Sequence, residues 1–92
     1  MIAKRVVVRG RVQGVGFRFS VVDVAREHGV VGWVRNRRDM SVEAWLQGDA
    51  SAVQRVADWC RKGPPGARVT DVGVTDAAVD ASLSDFAQRP TI

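Results

Sequence analysis

The 92-residue sequence predicts an α+β fold in the order β-α-β-β-α-β, because segments with a two-residue apolar period alternate with segments of helical period. Two split βαβ units of this kind place two helices on one face of an antiparallel sheet, which is the ferredoxin-like arrangement. Breaks rich in glycine and proline separate the segments. With 46% apolar residues and no low-complexity stretch, residues 1–92 are expected to form a single domain.

The first strand and the first helix lie on either side of a glycine turn. Val6, Val8 and Val12 alternate with arginines, which is typical of a strand with one buried face. The apolar stripe of the helix has i, i+4, i+7, i+8 spacing and consists of Phe17, Val21, Val24 and Ala25. His28 and Gly29 end this helix, with glycine in its usual position after the last turn.

The second half of the chain contains a hairpin, a second helix and one or two further strands. The two strands of the hairpin are predicted near residues 30–37 and 41–47. Asp49 is the candidate N-cap of the second helix, which ends at Gly63-Pro64-Pro65 and has an inner stripe of Val53, Val56, Ala57 and Cys60. A fourth strand is predicted near residues 68–75, and a weaker fifth strand near residues 84–89 at the edge of the sheet.

The glycine turn before the first helix is a candidate anion site. Gly14 and Gly16 let the backbone turn tightly, so that successive N–H groups face one concavity at a helix N-terminus. Unpaired amides and the positive end of the helix dipole both favour negative charge there. Arg18, in the first helical turn, is placed to close on a phosphate with its five-donor guanidinium. The alternative interpretation is an ordinary strand-to-helix turn with a solvated arginine.

The turn does not match the common nucleotide-binding motifs. No Gly-Lys-Ser/Thr sequence follows it, and Phe19 stands where the third glycine of Gly-x-Gly-x-x-Gly would be required. A nucleotide site is therefore not expected.

Asn36 is the second candidate for a functional residue, because strand interiors disfavour asparagine. One interpretation is a turn-forming residue before the hairpin. The other is a side-chain amide that faces a site, where it both donates to and accepts from a water molecule. The predicted topology allows the end of the second strand to lie beside the turn that precedes Arg18.

The remaining residues offer little further catalytic equipment. Cys60 falls on the inner stripe of the second helix and His28 at the end of the first, so packing and a helix-dipole contact are the simpler roles. One cysteine and one histidine make no metal ligand set, and neither a metal nor another cofactor is expected. Because a lone cysteine forms no internal disulfide and no membrane span or signal peptide is recognisable, we expect a cytoplasmic protein.

These candidate groups restrict the chemistry of the site. Phosphoryl transfer depends mainly on positioning and on charge stabilisation, which an anion cradle supplies. Without an evident general acid, the leaving group must depart as a stable anion. A carboxylate, whose conjugate acid has a pKa of about 4, meets this requirement. The residues therefore favour cleavage of an acyl phosphate, the mixed anhydride of a carboxylic and a phosphoric acid.

Two segments resemble the signatures of the acylphosphatase family. The first is Gly10-Arg11-Val12-Gln13-Gly14-Val15-Gly16-Phe17-Arg18, and the second is Gly32-Trp33-Val34-Arg35-Asn36, followed by Val42 and Gly48. The resemblance implies a ferredoxin-like fold and a metal-free hydrolysis, with water as nucleophile, of acyl phosphates to a carboxylate and inorganic phosphate. It further implies that Asn36 orients the attacking water and that the phosphoryl group is held by Arg18 and by the amides of Gln13, Gly14, Val15, Gly16 and Phe17.

The sequence departs from the family pattern at Met40, where a glycine would follow the aspartate. If the hairpin needs a left-handed residue at this position, methionine is strained there by roughly 1–2 kcal/mol. The alternative is a rearranged turn.

Two other functions stay open at the level of sequence. A net charge of +4 and two tryptophans, Trp33 and Trp45, on the sheet face away from the helices suit a single-stranded RNA-binding module of the same topology. Against it, residues 41–45 carry an acid and lack the basic-glycine-aromatic pattern, so nucleic acid is not the expected partner.

The second alternative function is that of a module that handles phosphate or carbamoyl phosphate within a larger maturation enzyme. The end of the chain at Ile92 disfavours this alternative. The expected partners are therefore a small-molecule acyl phosphate and inorganic phosphate. No membrane partner is expected, and the expected oligomeric state is a monomer.

Overall fold

Five strands and two helices follow one another in the computed structural model, which describes residues 1–92. The strands are β1 (Ile2–Arg11), β2 (Val31–Asn36), β3 (Val42–Gly48), β4 (Arg68–Ala77) and β5 (Phe86–Gln88). The helices are α1 (Phe17–Glu27) and α2 (Ala50–Lys62). The predicted element order and the ferredoxin-like α+β class are confirmed.

The strands form one sheet in the order β4-β1-β3-β2-β5. β1 pairs antiparallel with β3 and β4, and β2 pairs antiparallel with β3. The predicted edge strand forms as β5, but it pairs parallel with β2, so the expectation of a wholly antiparallel sheet is wrong. The chain reverses direction after β4 and crosses to the opposite edge of the sheet, and β5 therefore runs in the same direction as β2.

Both helices pack on one face of the sheet and form a single core. The core contains Phe17, Val21 and Ala25 of α1, Val53, Val56, Ala57 and Cys60 of α2, and Val6, Val8, Val34, Val42, Ala44, Leu46 and Phe86 of the sheet. Burying one such side chain stabilises the fold by about 1.5–3 kcal/mol. Phe17, the first residue of α1, is buried and meets the ring of Trp59 edge-on at a centroid distance of 5.7 Å. This packing holds the start of α1 in place.

The helix ends largely follow the sequence signals. His28 caps α1, its Nδ1 lies 2.9 Å from the carbonyl of Val24, and Gly29 follows with a φ of 68°. Asp49 occupies the N-cap position of α2, but its carboxylate accepts from the hydroxyl of Ser51 rather than from a backbone amide. Neither helix has the length and apolar character that crossing a membrane requires.

The face of the sheet without helices holds an ion-pair cluster that the sequence did not predict. Glu43 of the central strand is 3% exposed and accepts hydrogen bonds from Arg5 of β1 and Arg35 of β2, the latter at 2.7 Å. Burial acts to raise the pKa of Glu43, but the hydrogen bonds and charges of the two guanidinium groups hold that pKa below its usual range. Glu43 is therefore ionised at neutral pH and links three neighbouring strands.

Candidate active site

The chain between β1 and α1 turns through two glycines in the left-handed region. Gly14 has a φ of 74° and Gly16 a φ of 76°, values that side chains of L-residues disfavour. An added Cβ would meet no atom within 4 Å at either position. The backbone conformation, and not lack of space, therefore favours glycine at these positions.

The backbone N–H groups from Gly14 to Phe19 donate to no acceptor within the protein. The first helical hydrogen bond of α1 runs from the Ser20 amide to the Gly16 carbonyl, at 3.0 Å. Gly16 is the N-cap and has no side chain to offer, and the first turn of α1 contains no acidic residue. Free amides at a helix start carry the positive end of the helix dipole, so this turn has the donors that an anion needs.

A cavity of about 130 Å³ opens at this turn. Its walls are formed by Val12, Gly14, Gly16, Phe17, Arg18, Phe19, Asn36 and Gln88. Arg18 is the one charged residue among them, is half-buried, and forms no ion pair with any carboxylate of the protein. An unpaired cation beside free amides favours an anion in this cavity.

Asn36 is the last residue of β2 and faces the same cavity. Its Oδ1 atom is buried and has no hydrogen-bond partner in the protein. Most buried polar atoms in proteins are paired, so an unpaired amide oxygen in a cavity wall indicates a donor that comes from solvent or from a ligand. The backbone carbonyl of Asn36 accepts from the amide of Ile92 at 3.3 Å, which ties this strand end to the last residues of the chain.

The fold brings together most of the residues that the sequence singled out. Arg18, Asn36, Gly14, Gly16 and Phe17 share the cavity wall, whereas Gln13 and Val15 do not belong to it. The side chain of Val15 packs against the core.

Gln13 connects the glycine turn to the hairpin that follows Asn36. Its Nε2 donates to the carbonyls of Arg37 and Ser41, at 2.8 and 2.9 Å. The side chain of Gln13 thereby joins the glycine turn, on one side of the cavity, to the hairpin on the other side. Spacing in the sequence does not reveal this contact.

Three residues of the wall are not among the predicted site residues: Val12, which is buried in the core, Gln88 and Phe19. Gln88 lies on β5 and pairs in register with Val34, so it reaches the cavity only because β5 adds to β2. Phe19 lies outside the buried stripe of α1 and is 66% exposed. The position of Phe19, an apolar residue on the polar side of a helix, was the one feature of the sequence that could have indicated a functional role for it. No feature of the sequence indicates that Gln88 belongs to the cavity.

The hairpin between β2 and β3 keeps a left-handed residue at Met40. Met40 has a φ of 75° and is the one non-glycine residue with positive φ. Its amide donates to the carbonyl of Arg37 at 3.1 Å, and the Asp39 carboxylate accepts from the Ser41 amide at 3.0 Å. Hydrogen bonds from the hydroxyl and amide of Ser41 lower the pKa of Asp39 to about 2. The turn has therefore not rearranged, and Met40 adopts the conformation that glycine would take freely.

A larger hollow of about 580 Å³ lies between α1 and the segment after α2. Its wall contains opposite charges, Asp23 and Lys62, together with Pro64 and Pro65, which have no N–H to donate. The smaller cavity has free amides and no carboxylate in its wall, so it is the better site for an anion.

Two other candidate side chains, the thiol of Cys60 and the ring of Trp33, make packing contacts within the protein. Cys60 is fully buried, and burial raises the pKa of its thiol to about 12, so the thiol is unreactive at neutral pH. Trp33 is 8% exposed, and its ring lies 4.4 Å from the guanidinium carbon of Arg35 and 5.1 Å from that of Arg89. These two arginines and Trp45 surround the ring of Trp33. The ring is therefore poorly placed to stack on a nucleic-acid base, and the cavity is the better candidate for the functional site.

The fold is that of a small ferredoxin-like protein, and its cavity has the donors that suit a phosphate-sized anion. The family model described as Acylphosphatase matches residues 4–88, and the chain belongs to the acylphosphatase family. It is 50% identical to an acylphosphatase of Pyrobaculum calidifontis over 92 residues, which are 99% of this chain and 84% of the relative.

Solved structures give the same result. The crystal structure of an acylphosphatase from Bacillus subtilis superposes with a TM-score of 0.92 at 37% identity and covers 97% of this chain and 99% of its own. T. kodakarensis HypF matches with a TM-score of 0.84 at 29% identity, covering 97% of this chain but 12% of HypF. The same fold thus also forms a small part of a much longer protein.

Proposed function

We propose that the cavity beside Arg18 is the site at which this acylphosphatase-family enzyme hydrolyses acyl phosphates to a carboxylate and inorganic phosphate. The observation that carries the proposal is the combination of three kinds of unpaired group in one wall. Arg18 supplies an unpaired cation, the turn from Gly14 supplies free amides, and Asn36 supplies an unpaired buried amide oxygen.

The phosphoryl group binds to the free amides and to the guanidinium of Arg18. A water molecule takes about 30 Å³ in the liquid, so a cavity of about 130 Å³ has room for a phosphoryl group with one water molecule. In phosphoryl transfer, negative charge spreads over the equatorial oxygens in the transition state. Donors that are already oriented towards these oxygens stabilise this charge without reorganising.

The water that attacks phosphorus donates a hydrogen bond to Oδ1 of Asn36. This contact turns an oxygen lone pair of the water towards phosphorus, on the side opposite the leaving group. The new P–O bond forms as the bond between phosphorus and the acyl oxygen breaks, and that oxygen leaves with the electron pair as a carboxylate. The water proton passes to the phosphate product. No general acid is needed, since the leaving carboxylate has a conjugate acid with a pKa of about 4.

We propose that this reaction is metal-free and that the charge stabilisation comes from Arg18 and the backbone. Support comes from the donor set, because the cavity wall contains no carboxylate, thiolate or imidazole to hold a cation. The wall belongs to one chain, which supports a monomer as the active form. A free, buried Cys60 that pairs with nothing is compatible with a reducing cytoplasm as the proposed location.

The proposal is tested with two substrates that share a phenyl ring, benzoyl phosphate and phenyl phosphate. Their leaving groups differ, because benzoate has a conjugate acid of pKa about 4 and phenolate one of about 10. With EDTA present throughout, we expect rapid hydrolysis of benzoyl phosphate, competitive inhibition by inorganic phosphate and no measurable hydrolysis of phenyl phosphate. Preference for phenyl phosphate, or loss of activity with EDTA, would contradict the mechanism.

A further inference from the structure

Phe19 is an exposed aromatic residue at the mouth of the catalytic cavity. Six large apolar side chains are exposed in this protein, and Phe19 is the one aromatic residue among them, with 66% of its surface accessible. It is also the one member of that set in the cavity wall. Its neighbours on α1 account for the core contacts of the helix, since Phe17, Val21 and Ala25 are buried. The ring of Phe19 is therefore free to contact a ligand.

The size of the cavity determines where the acyl group must lie. Once the phosphoryl group and the attacking water occupy a cavity of about 130 Å³, too little room is left for an acyl group of several carbon atoms, so the acyl group extends through the mouth. At the mouth it meets exposed side chains, Phe19 from α1 and Gln88 from β5. The first is apolar and the second is polar without charge.

The charge of the wall restricts the acyl group further. Arg18 is the one charged residue in the wall, and the phosphoryl group engages it. An acyl group with its own carboxylate would find no second cation in the wall to offset its loss of hydration. An apolar acyl group, in contrast, gains by covering the ring of Phe19.

We infer that Phe19 is a specificity-determining residue, whose ring contacts the acyl group and favours acyl phosphates with an uncharged, apolar acyl group. This inference rests on the proposed function of the cavity. It names the preferred class of substrate, which the phosphate cradle alone does not select, because the cradle contacts only the phosphoryl group.

The test compares kcat/KM for acetyl phosphate, benzoyl phosphate and 4-carboxybenzoyl phosphate in the wild type and in Phe19→Ala. The last two substrates differ by one carboxylate far from the reacting bond. Aromatic contacts contribute up to about 1.5 kcal/mol, which corresponds to a factor of about ten in a specificity constant. We expect Phe19→Ala to lower the ratio of benzoyl to acetyl phosphate by about five- to tenfold. The wild type is expected to prefer benzoyl phosphate over its carboxylated analogue.

Two further variants separate specificity from a structural effect. Phe19→Leu keeps an apolar side chain and is expected to retain part of the benzoyl preference, whereas Val79→Ala removes an exposed apolar side chain outside the cavity wall and should leave all ratios unchanged. If Phe19→Ala leaves the ratio of kcat/KM for benzoyl phosphate to that for acetyl phosphate unchanged, as equal losses for the three substrates would, the inference is overturned. A wild type that hydrolyses none of the acyl phosphates would instead refute the proposed function itself, and this inference with it.

Discussion

Replacing Arg18 with alanine should abolish most of the activity while leaving the fold unchanged. Removing one preorganised donor from an oxyanion site costs about 2.7–4 kcal/mol of transition-state stabilisation, or about 10²–10³-fold in kcat. Arg18 is the one cation in the wall, so no other side chain of the wall replaces it. It forms no ion pair, so its removal leaves no carboxylate without a partner. We therefore expect the free energy of unfolding to change by about 0.5 kcal/mol or less.

The assay is steady-state hydrolysis of benzoyl phosphate, with urea denaturation of each variant as the measure of stability. Arg55→Ala is the matched control, because Arg55 is exposed on α2, forms no ion pair, and its loss changes the net charge by the same amount. Arg18→Lys keeps the charge but loses the planar fork, and it should recover only part of the lost rate. Inorganic phosphate should inhibit Arg18→Ala far more weakly than the wild type.

Two results would refute this reasoning. A loss of less than about tenfold in Arg18→Ala would mean that the guanidinium does not stabilise the transition state. An equal loss in Arg55→Ala would mean that the overall positive charge of the protein, rather than a contact in the cavity, attracts the substrate.

Three further predictions concern the rest of the site and the fold. Asn36→Ala should lower kcat by about 10²-fold through loss of water positioning, with the inhibition constant of phosphate nearly unchanged; a parallel weakening of phosphate inhibition would place Asn36 in the phosphate cradle instead. Glu43→Gln should lower the free energy of unfolding at neutral pH by about 1–3 kcal/mol, because it leaves two arginines without their shared carboxylate. Since folding lowers the pKa of Glu43 from 4.5, its contribution is present above pH 4.5 and is lost as the pH falls through the folded-state value. Urea denaturation at pH 7 and pH 3 should therefore show a difference between wild type and variant that shrinks at the lower pH, and a constant difference would contradict this account. Met40→Gly should relieve roughly 1–2 kcal/mol of strain and lose about 0.4–1 kcal/mol to the greater entropy of the unfolded chain, a net gain of about 0 to 1.6 kcal/mol in urea denaturation at neutral pH. A less stable Met40→Gly variant would show that packing of the methionine outweighs its backbone strain.

Local patterns predicted much of the candidate site because its main donors are close together in the chain. Gly14, Gly16 and Arg18 belong to one turn, and the backbone conformation of that turn follows from residue type alone. Asn36 was recognised as an unusual residue for a strand, but its position beside Arg18 depended on the order of the strands in the sheet.

Residues that reach the cavity through pairing of distant segments could not be found in this way. Gln88 belongs to a three-residue strand whose partner, β2, is about fifty residues earlier in the chain. The burial of Glu43 was missed for a similar reason. Alternation along β3 indicates one apolar face, but a central strand between two arginine-bearing neighbours buries its polar face as well.

The sequence by itself determined the order of helices and strands, the apolar side of each, and the free amides of the glycine turn. These follow from side-chain periodicity and from the backbone freedom of glycine, which are properties of a few consecutive residues. Only the tertiary structure decided that β5 runs parallel to β2, that Gln13 joins the turn to the hairpin, and that Arg18 and Asn36 face one cavity of about 130 Å³. The physical reason is that such contacts join segments far apart in the chain, and their geometry is set by the packing of the whole core.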